Sequence, residues 1–157
     1  MKSDSERKLR RPESVLVVVY TSDDKTLLLK RTPPQSFWQS VTGSMMWEGE
    51  SKIQTAIREL REETGVVAEP GELRDWKRTF KFTIPPVYRH RYEVGVQFNR
   101  EHVFSILLPE TKPIVLQQNE HIEYRWVDLR TAQDVVWSWS NREALEIVMS
   151  AKNRDEE

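Results

Sequence analysis

Residues 57–65, IRELREETG, carry three glutamates into the last turns of a predicted helix that stops at a glycine. The helix is predicted from about 51 to 64, because apolar residues recur at the i, i+3, i+4, i+7 spacing: Ile53, Ala56, Ile57 and Leu60. Negative charge is unfavourable at a helix C-terminus, where the helix dipole is already negative, and like charges three or four residues apart repel. A segment that breaks local rules in this way is expected to carry function.

The three glutamates, Glu59, Glu62 and Glu63, fall within about 100° of one another on the helical wheel, beside the apolar stripe. For an arbitrary helix, a solvated acidic face would explain them. Their crowding at the unfavourable helix end favours a divalent cation instead, since a cation would cancel the repulsion. The chain has no cysteine, and oxygen ligands without sulfur suit Mg²⁺, Mn²⁺ or Ca²⁺.

The composition predicts one soluble globular domain, residues 1–157. Hydrophobic residues make up 38% of the chain and charged residues 31%, and this length suffices for a real core. The net charge of −1 argues against a nucleic-acid binder that works through bulk positive charge. No apolar run approaches the roughly 18 residues of a membrane span, and the polar N-terminus lacks a signal-peptide core. We expect a cytoplasmic protein without nucleic-acid or membrane partners, with flexible ends at about 1–10 and 152–157.

Apolar and β-branched runs predict six strands, at 14–20, 26–31, 37–41, 73–82, 102–108 and 123–128. The first two are expected to pair as a hairpin. A loop at 42–51 leads to the helix, with Ser51 as its N-cap and Gly65 just beyond its end. A closing helix is predicted near the C-terminus, with Ser140 and Glu143 as its capping box. Many strands with two or three helices predict an α/β/α or α+β sandwich.

The segment around the glutamates resembles the signature box of the Nudix hydrolases. That box reads Gly, five residues, Glu, seven residues, then Arg-Glu-apolar-any-Glu-Glu-any-Gly-apolar. Here Glu50 is followed by seven residues and then by Arg58 through Val66, which match every fixed position. The first half departs from the box, because six residues instead of five separate Gly43 from Glu50.

The resemblance implies a Nudix-type α/β/α sandwich with a mixed β-sheet, in which a loop-helix-loop carries catalysis. It implies that Mg²⁺, or alternatively Mn²⁺, is bound by the box glutamates: Glu59, Glu62 and Glu63. Arg58 would brace a glutamate, Glu50 would support the site from outside the ligand shell, and a backbone carbonyl at Thr42 or Gly43 would add a ligand. The implied reaction is hydrolysis of a nucleoside-diphosphate-linked compound.

Five further segments resemble one Nudix subfamily, the bacterial dihydroneopterin triphosphate diphosphatases of folate synthesis. They are RRP (10–12), FWQSVTGS (37–44), RHRY (89–92), NEH with YRWVD (119–128) and SWSNR (138–142). The subfamily implies a further metal ligand at Glu120, and it implies substrate contacts at four positions: Arg10, Arg31, Thr42 and Ser138. The general base would be Glu120 or Glu63.

The substrate implied by this subfamily is a small-molecule triphosphate, which would be cut to dihydroneopterin monophosphate and pyrophosphate. Its phosphates need cations, and arginine suits bidentate phosphate contacts. Its flat pterin needs a stacking surface, for which four tryptophans are candidates: Trp38, Trp47, Trp137 and Trp139. The three histidines are too scattered for a zinc motif, and His90 is interpreted as a strand residue with a local partner.

Two other functions are compatible with the fold that this resemblance implies. A Nudix enzyme of nucleotide-pool housekeeping would hydrolyse ordinary or damaged nucleoside triphosphates with the same box. A Nudix-fold binding module without catalysis would be expected to have lost box glutamates, and all of them are present here. Residue spacing alone gives neither the substrate nor the oligomeric state.

Overall fold

The computed structural model describes residues 9–155, which form seven strands and three α-helices. The strands are β1 Glu13–Thr21, β2 Lys25–Arg31, β3 Trp38–Gln39, β4 Val41–Ser44, β5 Leu73–Thr83, β6 Phe98–Leu108 and β7 His121–Asp128. The helices are α1 Lys52–Thr64, α2 Leu129–Val135 and α3 Trp139–Asp155. Two short 3-10 turns, Pro70–Glu72 and Pro86–Arg91, lie on either side of β5.

Strand β1 is the centre of the sheet. It pairs in parallel with β6 along its whole length, from Glu13 opposite Arg100 to Thr21 opposite Leu108. It pairs antiparallel with β2 and with β4, so the predicted hairpin of the first two strands is confirmed. β5 continues the sheet beyond β6, while β3 and β7 both pair with β2. One parallel pair among antiparallel ones makes the sheet mixed, as the resemblance implied.

The two faces of β1 point into two separate apolar cores, because side chains alternate along a strand. Val15, Val17 and Val19 pack into the core that contains Ala56 and Leu60 of α1. On the opposite face, Leu16 and Val18 pack into the core formed with α2 and α3, whose members include Leu129, Ala132, Ala144, Leu145 and Val148. Helices therefore cover both faces of the sheet, which confirms the predicted α/β/α sandwich.

Helix α1 has the predicted bounds and caps. The Ser51 hydroxyl accepts a hydrogen bond from Gln54 N–H, and the Gln54 side chain accepts one from Ser51 N–H, which completes a capping box. Gly65 ends the helix in the left-handed region at φ 78°, and its N–H donates to Arg61 O. One feature differs from the helical-wheel expectation: Glu63 lies on the buried side of α1, with only 2% of its surface exposed.

The predicted loop at 42–51 is wrong at its start, because residues 42–44 belong to β4. They pair with β1 from Val17 opposite Val41 to Ser14 opposite Ser44. The sequence Thr-Gly-Ser favours a turn by itself. The pairing with a buried strand far back in the chain overrides that preference, and local periodicity does not reveal it.

The predicted capping box of the closing helix is also wrong, because α3 begins two residues earlier. Ser138 is its N-cap: the Ser138 hydroxyl accepts a hydrogen bond from Asn141 N–H at 3.1 Å, and Ser138 O accepts from Arg142 N–H. Ser140 lies within the first turn and is 2% exposed. His90, interpreted as a strand residue, is instead exposed in the 3-10 turn Pro86–Arg91.

The flexible ends stay a prediction, since residues 1–8 and 156–157 lie outside the described part. Within that part, Arg10 N–H donates to Arg91 O, and α3 continues to Asp155. Among residues 9–155, every helix is too short or too polar to cross a membrane.

Candidate active site

Arg58 joins the box glutamates of helix α1 to the loop before it. Its Nε donates to Glu50 Oε2 at 2.7 Å, and its Nη2 donates to Glu50 Oε1 at 2.9 Å and to Ser44 O at 3.0 Å. Its Nη1 donates to Glu59 Oε1 at 2.7 Å and to Glu62 Oε2 at 3.2 Å. The guanidinium therefore braces three glutamates and holds the end of β4 against α1, which is the geometry that the resemblance implied for it.

Glu50 is held in place by several donors. Its Oε1 also accepts hydrogen bonds from Met46 N–H at 3.0 Å and from the Thr55 hydroxyl at 2.7 Å. Burial acts to raise the pKa of Glu50, but the hydrogen bonds from Arg58, Met46 and Thr55 outweigh it and lower the pKa to about 2. Although six residues instead of five separate Gly43 from Glu50, Glu50 therefore still contacts Arg58.

Glu59 packs directly against the backbone of β4 at Gly43. A Cβ at that position would overlap the Glu59 side chain, so only glycine lets the carboxyl approach so closely. Burial is the largest influence on the Glu59 carboxyl and raises its pKa; Arg58 lowers it, and Glu62 and Glu120 raise it, with a result of about 7. The groups around the Glu59 carboxyl therefore provide too little positive charge to keep it fully ionised at neutral pH.

A second group of ligand atoms lies beside it, formed by Glu63, Glu120 and His121, whose ligand atoms all fall within 4.8 Å of one another. Glu63 Oε2 accepts from Thr42 N–H at 3.2 Å, and Glu63 Oε1 lies 3.7 Å from His121 Nδ1. Burial, followed by the charges of Glu59 and Glu120, raises the pKa of Glu63 well above its ordinary value. Burial and the nearby charge of Arg31 lower the pKa of His121 to about 4, so its ring is neutral.

This donor set fits a divalent cation. The charge of Glu120 raises the pKa of Glu59, and the charges of Glu59 and Glu120 raise the pKa of Glu63, as expected where carboxylates need a cation between them. The neutral His121 presents an unpartnered Nδ1 toward Glu63. Glu62 differs from the others, because it is about half exposed and is held at the outer side of Arg58. The sequence prediction named Glu120 and missed His121, although the two are adjacent in the chain.

All four predicted substrate contacts line one cleft of about 280 Å³: Arg10, Arg31, Thr42 and Ser138. Gly43 and Ser44 line it as well, so the cleft reaches the strand against which Glu59 packs. Arg91 contributes a third guanidinium to the wall. The cleft thus combines positive charge with a border on the carboxylate cluster.

Aromatic rings form another wall of this cleft. Trp137 stacks on Phe37 with ring centres 4.3 Å apart, and Tyr88 meets Trp137 edge-on at 6.3 Å. Trp137 and Trp139 are 43% and 47% exposed, so their rings are available to a ligand. The other two candidates lie elsewhere: Trp38 packs against the core of α2 and α3, and Trp47 donates to Leu9 O.

Two polar residues of β6, Asn99 and Glu101, also line the cleft, and the sequence prediction missed both. They are 3% and 6% exposed. Burial raises the pKa of Glu101 to about 7, against the opposing effect of a hydrogen bond from Ser140. Residues 99–102, Asn-Arg-Glu-His, are all polar, so no apolar alternation marks them as a strand, and the predicted strand began only at residue 102.

The chain is similar to known proteins over most of its length. A family model described as the NUDIX domain matches residues 10–146. The dihydroneopterin triphosphate diphosphatase of Escherichia coli (strain K12) is 46% identical over 140 residues, covering 87% of this chain and 91% of that enzyme. The enzyme of the same name from Haemophilus influenzae is 35% identical over 136 residues, covering 85% and 84% respectively. The solved structure of the E. coli dihydroneopterin triphosphate pyrophosphohydrolase matches with a TM-score of 0.81 and 42% identity, covering 88% of this chain and 94% of that one.

These matches agree with the geometry of the carboxylate cluster, since Nudix enzymes generally use a divalent metal ion and the acidic group is placed to hold one. The chain belongs to the Nudix hydrolase family and is a homologue of dihydroneopterin triphosphate diphosphatase.

Proposed function

We propose that this protein hydrolyses dihydroneopterin triphosphate to dihydroneopterin monophosphate and pyrophosphate, as a cytoplasmic enzyme of folate synthesis. The observation that carries the proposal is one cleft, which three arginines and an aromatic wall line together with Thr42 and Gly43, the two residues that contact Glu63 and Glu59 of α1. Such a cleft suits a ligand with a triphosphate at one end and a flat heterocycle at the other. The homology to enzymes of that name supports the same substrate.

The phosphate end of the ligand is assigned to the arginines and the carboxylates. Arg31 and Arg91, together with Arg10, offer guanidinium groups for the phosphate oxygens. Glu63 and Glu120, with the neighbouring Glu59, would hold Mg²⁺, with Mn²⁺ as the other option, and Glu62 would contribute from the exposed side. When bound, such an ion neutralises phosphate oxygens and lowers the pKa of a coordinated water.

The reaction adds water across the anhydride between the α- and β-phosphates. The water oxygen bonds to one of the two phosphorus atoms, the bond from that phosphorus to the bridging oxygen breaks, and the bridging oxygen stays with the other phosphorus. Either point of attack gives dihydroneopterin monophosphate and pyrophosphate. A carboxylate must accept the proton of the attacking water. Glu63 and Glu120 both lie in the cluster, and they differ in access: Glu63 is enclosed and bonded to Thr42 N–H, whereas Glu120 is partly exposed.

Glu50 and Arg58 would act through the other glutamates. Glu50 orients the Arg58 guanidinium, which donates to Glu59 Oε1 and so holds that carboxylate in place before a substrate binds. Thr42 serves the same purpose for Glu63, since its N–H is bonded to that carboxylate and its residue also lines the cleft.

The test compares substrates and identifies products. The purified protein is incubated with Mg²⁺ and either dihydroneopterin triphosphate or one of the common nucleoside triphosphates, and kcat/KM and the released phosphate species are measured. We expect a strong preference for the pterin and release of pyrophosphate. Faster turnover of a nucleoside triphosphate would overturn the substrate assignment, while the proposed hydrolysis of a phosphoanhydride bond would remain valid.

Variants separate the two candidates for the base. Glu63→Gln and Glu120→Gln are each compared with Glu146→Gln, which changes an exposed glutamate on α3. The base is the residue whose replacement lowers kcat while Mn²⁺ affinity is retained; a pure ligand loses affinity and activity together. If neither variant differs from the Glu146 control, the cluster is not the reaction centre.

A further inference from the structure

The floor of the cleft contains hydrogen-bond acceptors that the protein itself leaves unused. Among residues 9–155, three buried side-chain atoms lack a hydrogen-bond partner: Asn99 Oδ1, Glu101 Oε1 and His121 Nδ1. His121 belongs to the carboxylate cluster, and the other two line the cleft. Buried polar groups are nearly always paired in folded proteins, so an unpaired one at a cleft indicates a partner that arrives with a ligand.

Asn99 and Glu101 lie on the same face of β6, because they are two residues apart on one strand. The donor group of Asn99 is already used, since its Nδ2 donates to the Ser14 hydroxyl at 2.8 Å. What remains free is Oδ1, an acceptor, beside a carboxylate, which also accepts. The complementary ligand must therefore bring several N–H donors to this point.

The phosphates of a substrate do not meet that requirement. Phosphate oxygens are acceptors and carry negative charge, so a buried carboxyl repels them. Arg31 suits phosphate and lies near the carboxylate cluster, since its charge acts on both Glu63 and His121. Phosphates therefore belong at Arg31 and the cluster, and a donor-rich ring belongs at Asn99 and Glu101.

We propose that Glu101 and Asn99 bind the 2-amino-4-oxopyrimidine edge of the substrate's heterocycle. This inference rests on the proposed function and deepens it by naming the residues that select the ring. The edge carries an amino group and a ring N–H side by side. One can donate to the unpartnered Glu101 Oε1, and the other to the second oxygen, which has a further lone pair beside the hydrogen bond from Ser140. Asn99 Oδ1 accepts a further N–H of the same ring system. Pterins and guanine share this edge, whereas adenine lacks it.

Other features of the cleft agree with a ring at this place. Trp137 and Trp139 provide exposed faces for stacking next to the same floor. Burial raises the pKa of Glu101 to about 7, and N–H donors from a ligand would favour its ionised form over the protonated one. The fold supplies Glu101 with one donor, Ser140, and leaves its Oε1 without any.

The test measures binding without turnover. The full chain is titrated in EDTA with neopterin triphosphate, GTP, ITP and ATP, and Kd is measured by calorimetry. GTP and ITP differ only in the 2-amino group. We expect GTP to bind about 10–100-fold more tightly than ITP, the range for hydrogen bonds to a charged group. Equal affinities for GTP and ITP would overturn the proposal, and this result needs no variant.

A variant then assigns the preference to Glu101. Glu101→Gln presents one acceptor and one donor, which suits adenine better than guanine, so the GTP-to-ATP preference should fall by about 10-fold or more. Glu146→Gln, at an exposed position of α3 outside the lining of the cleft, should leave the preference unchanged. An unchanged preference in a folded Glu101→Gln protein would overturn the assignment.

The outcomes separate this inference from the proposed function. Hydrolysis of dihydroneopterin triphosphate by a protein that does not distinguish GTP from ITP would remove the role of Glu101 and keep the function. A preference for GTP over ITP without hydrolysis of dihydroneopterin triphosphate would keep the role of Glu101 and remove the proposed function. The ratio of kcat/KM for dihydroneopterin triphosphate and GTP then tells which of the two rings is the natural one.

Discussion

Replacing Glu101 by glutamine should make the ligand-free protein less sensitive to alkaline pH. The side chain is 6% exposed, and burial raises its pKa from an ordinary 4.5 to about 7. Because the pKa is higher in the folded than in the unfolded state, the contribution of this group to stability is fully present below about pH 4.5 and is lost as the pH rises through about 7. Glutamine has no such titration.

The size of the effect follows from the two pKa values. Linkage gives a cost of about 1 kcal/mol at pH 5 and about 3 kcal/mol at pH 8 for keeping this carboxyl buried. The difference in unfolding free energy between Glu101→Gln and the wild type should therefore grow by about 2 kcal/mol over that interval. For a chain of this size, the change corresponds to roughly 4–8 °C in the unfolding midpoint.

The assay is thermal or urea unfolding of both proteins in EDTA at several pH values. The comparison isolates Glu101 because the other titrating groups, such as Glu59 and His121, are present in both proteins and cancel. Burial and Ser140 set the pKa of Glu101. The charge of Glu101 acts on Tyr92, whose pKa is raised, so Tyr92 stays protonated from pH 5 to 8 and additivity is expected. A difference that stays constant from pH 5 to 8 would refute the reasoning, and Glu146→Gln serves as the exposed control.

Three other changes test the rest of the site. Arg58→Gln should lower the unfolding free energy by about 3–5 kcal/mol in urea, because it leaves mostly buried carboxylates without their cation; a loss below 1 kcal/mol would contradict the bracing role. Gly43→Ala should weaken Mn²⁺ binding about 10–100-fold in a calorimetric titration, since the added methyl displaces Glu59; unchanged affinity would exclude Glu59 as a ligand. Ser138→Ala should cost about 1 kcal/mol of stability and Ser138→Asp much less, because aspartate also caps helices; equal losses would show that the cap is not the reason.

The parts of the fold that sequence predicted are those with a local cause. Helix α1 has an apolar period, a capping side chain at Ser51 and a glycine at the end, and each acts within a few residues. The strands of the central sheet are apolar runs that local pattern identifies. The signature box predicted Arg58 and the glutamates for the same reason: the motif lies on one loop and one helix that follow each other in the chain.

The parts that the sequence did not predict depend on distant segments. β4 forms because it pairs with β1, although its own residues favour a turn. The N-terminus of α3 was misplaced because Ser138 and Ser140 are equally good caps in sequence. Ser140 is instead packed into the buried part of the cleft. Glu101 was missed because nothing in its neighbours indicates that a cleft, rather than solvent, covers its face of β6.

The glutamates at the C-terminal end of helix α1 are therefore one of two groups in the site that the surrounding protein does not fully neutralise or pair. At one end of the site, Glu59 and Glu63 have too little positive charge around them, and at the other end Asn99 Oδ1 and Glu101 Oε1 lack hydrogen-bond donors. A substrate that carries a metal-bound triphosphate and an N–H-rich ring would bring positive charge to the first end and hydrogen-bond donors to the second. Binding energy and specificity then have the same origin, because a ligand that satisfies only one end leaves buried polar groups unpaired at the other. The uncompensated charges and unpaired acceptors lower the stability of the ligand-free protein at both ends of the site. Only a ligand that reaches both ends restores that stability.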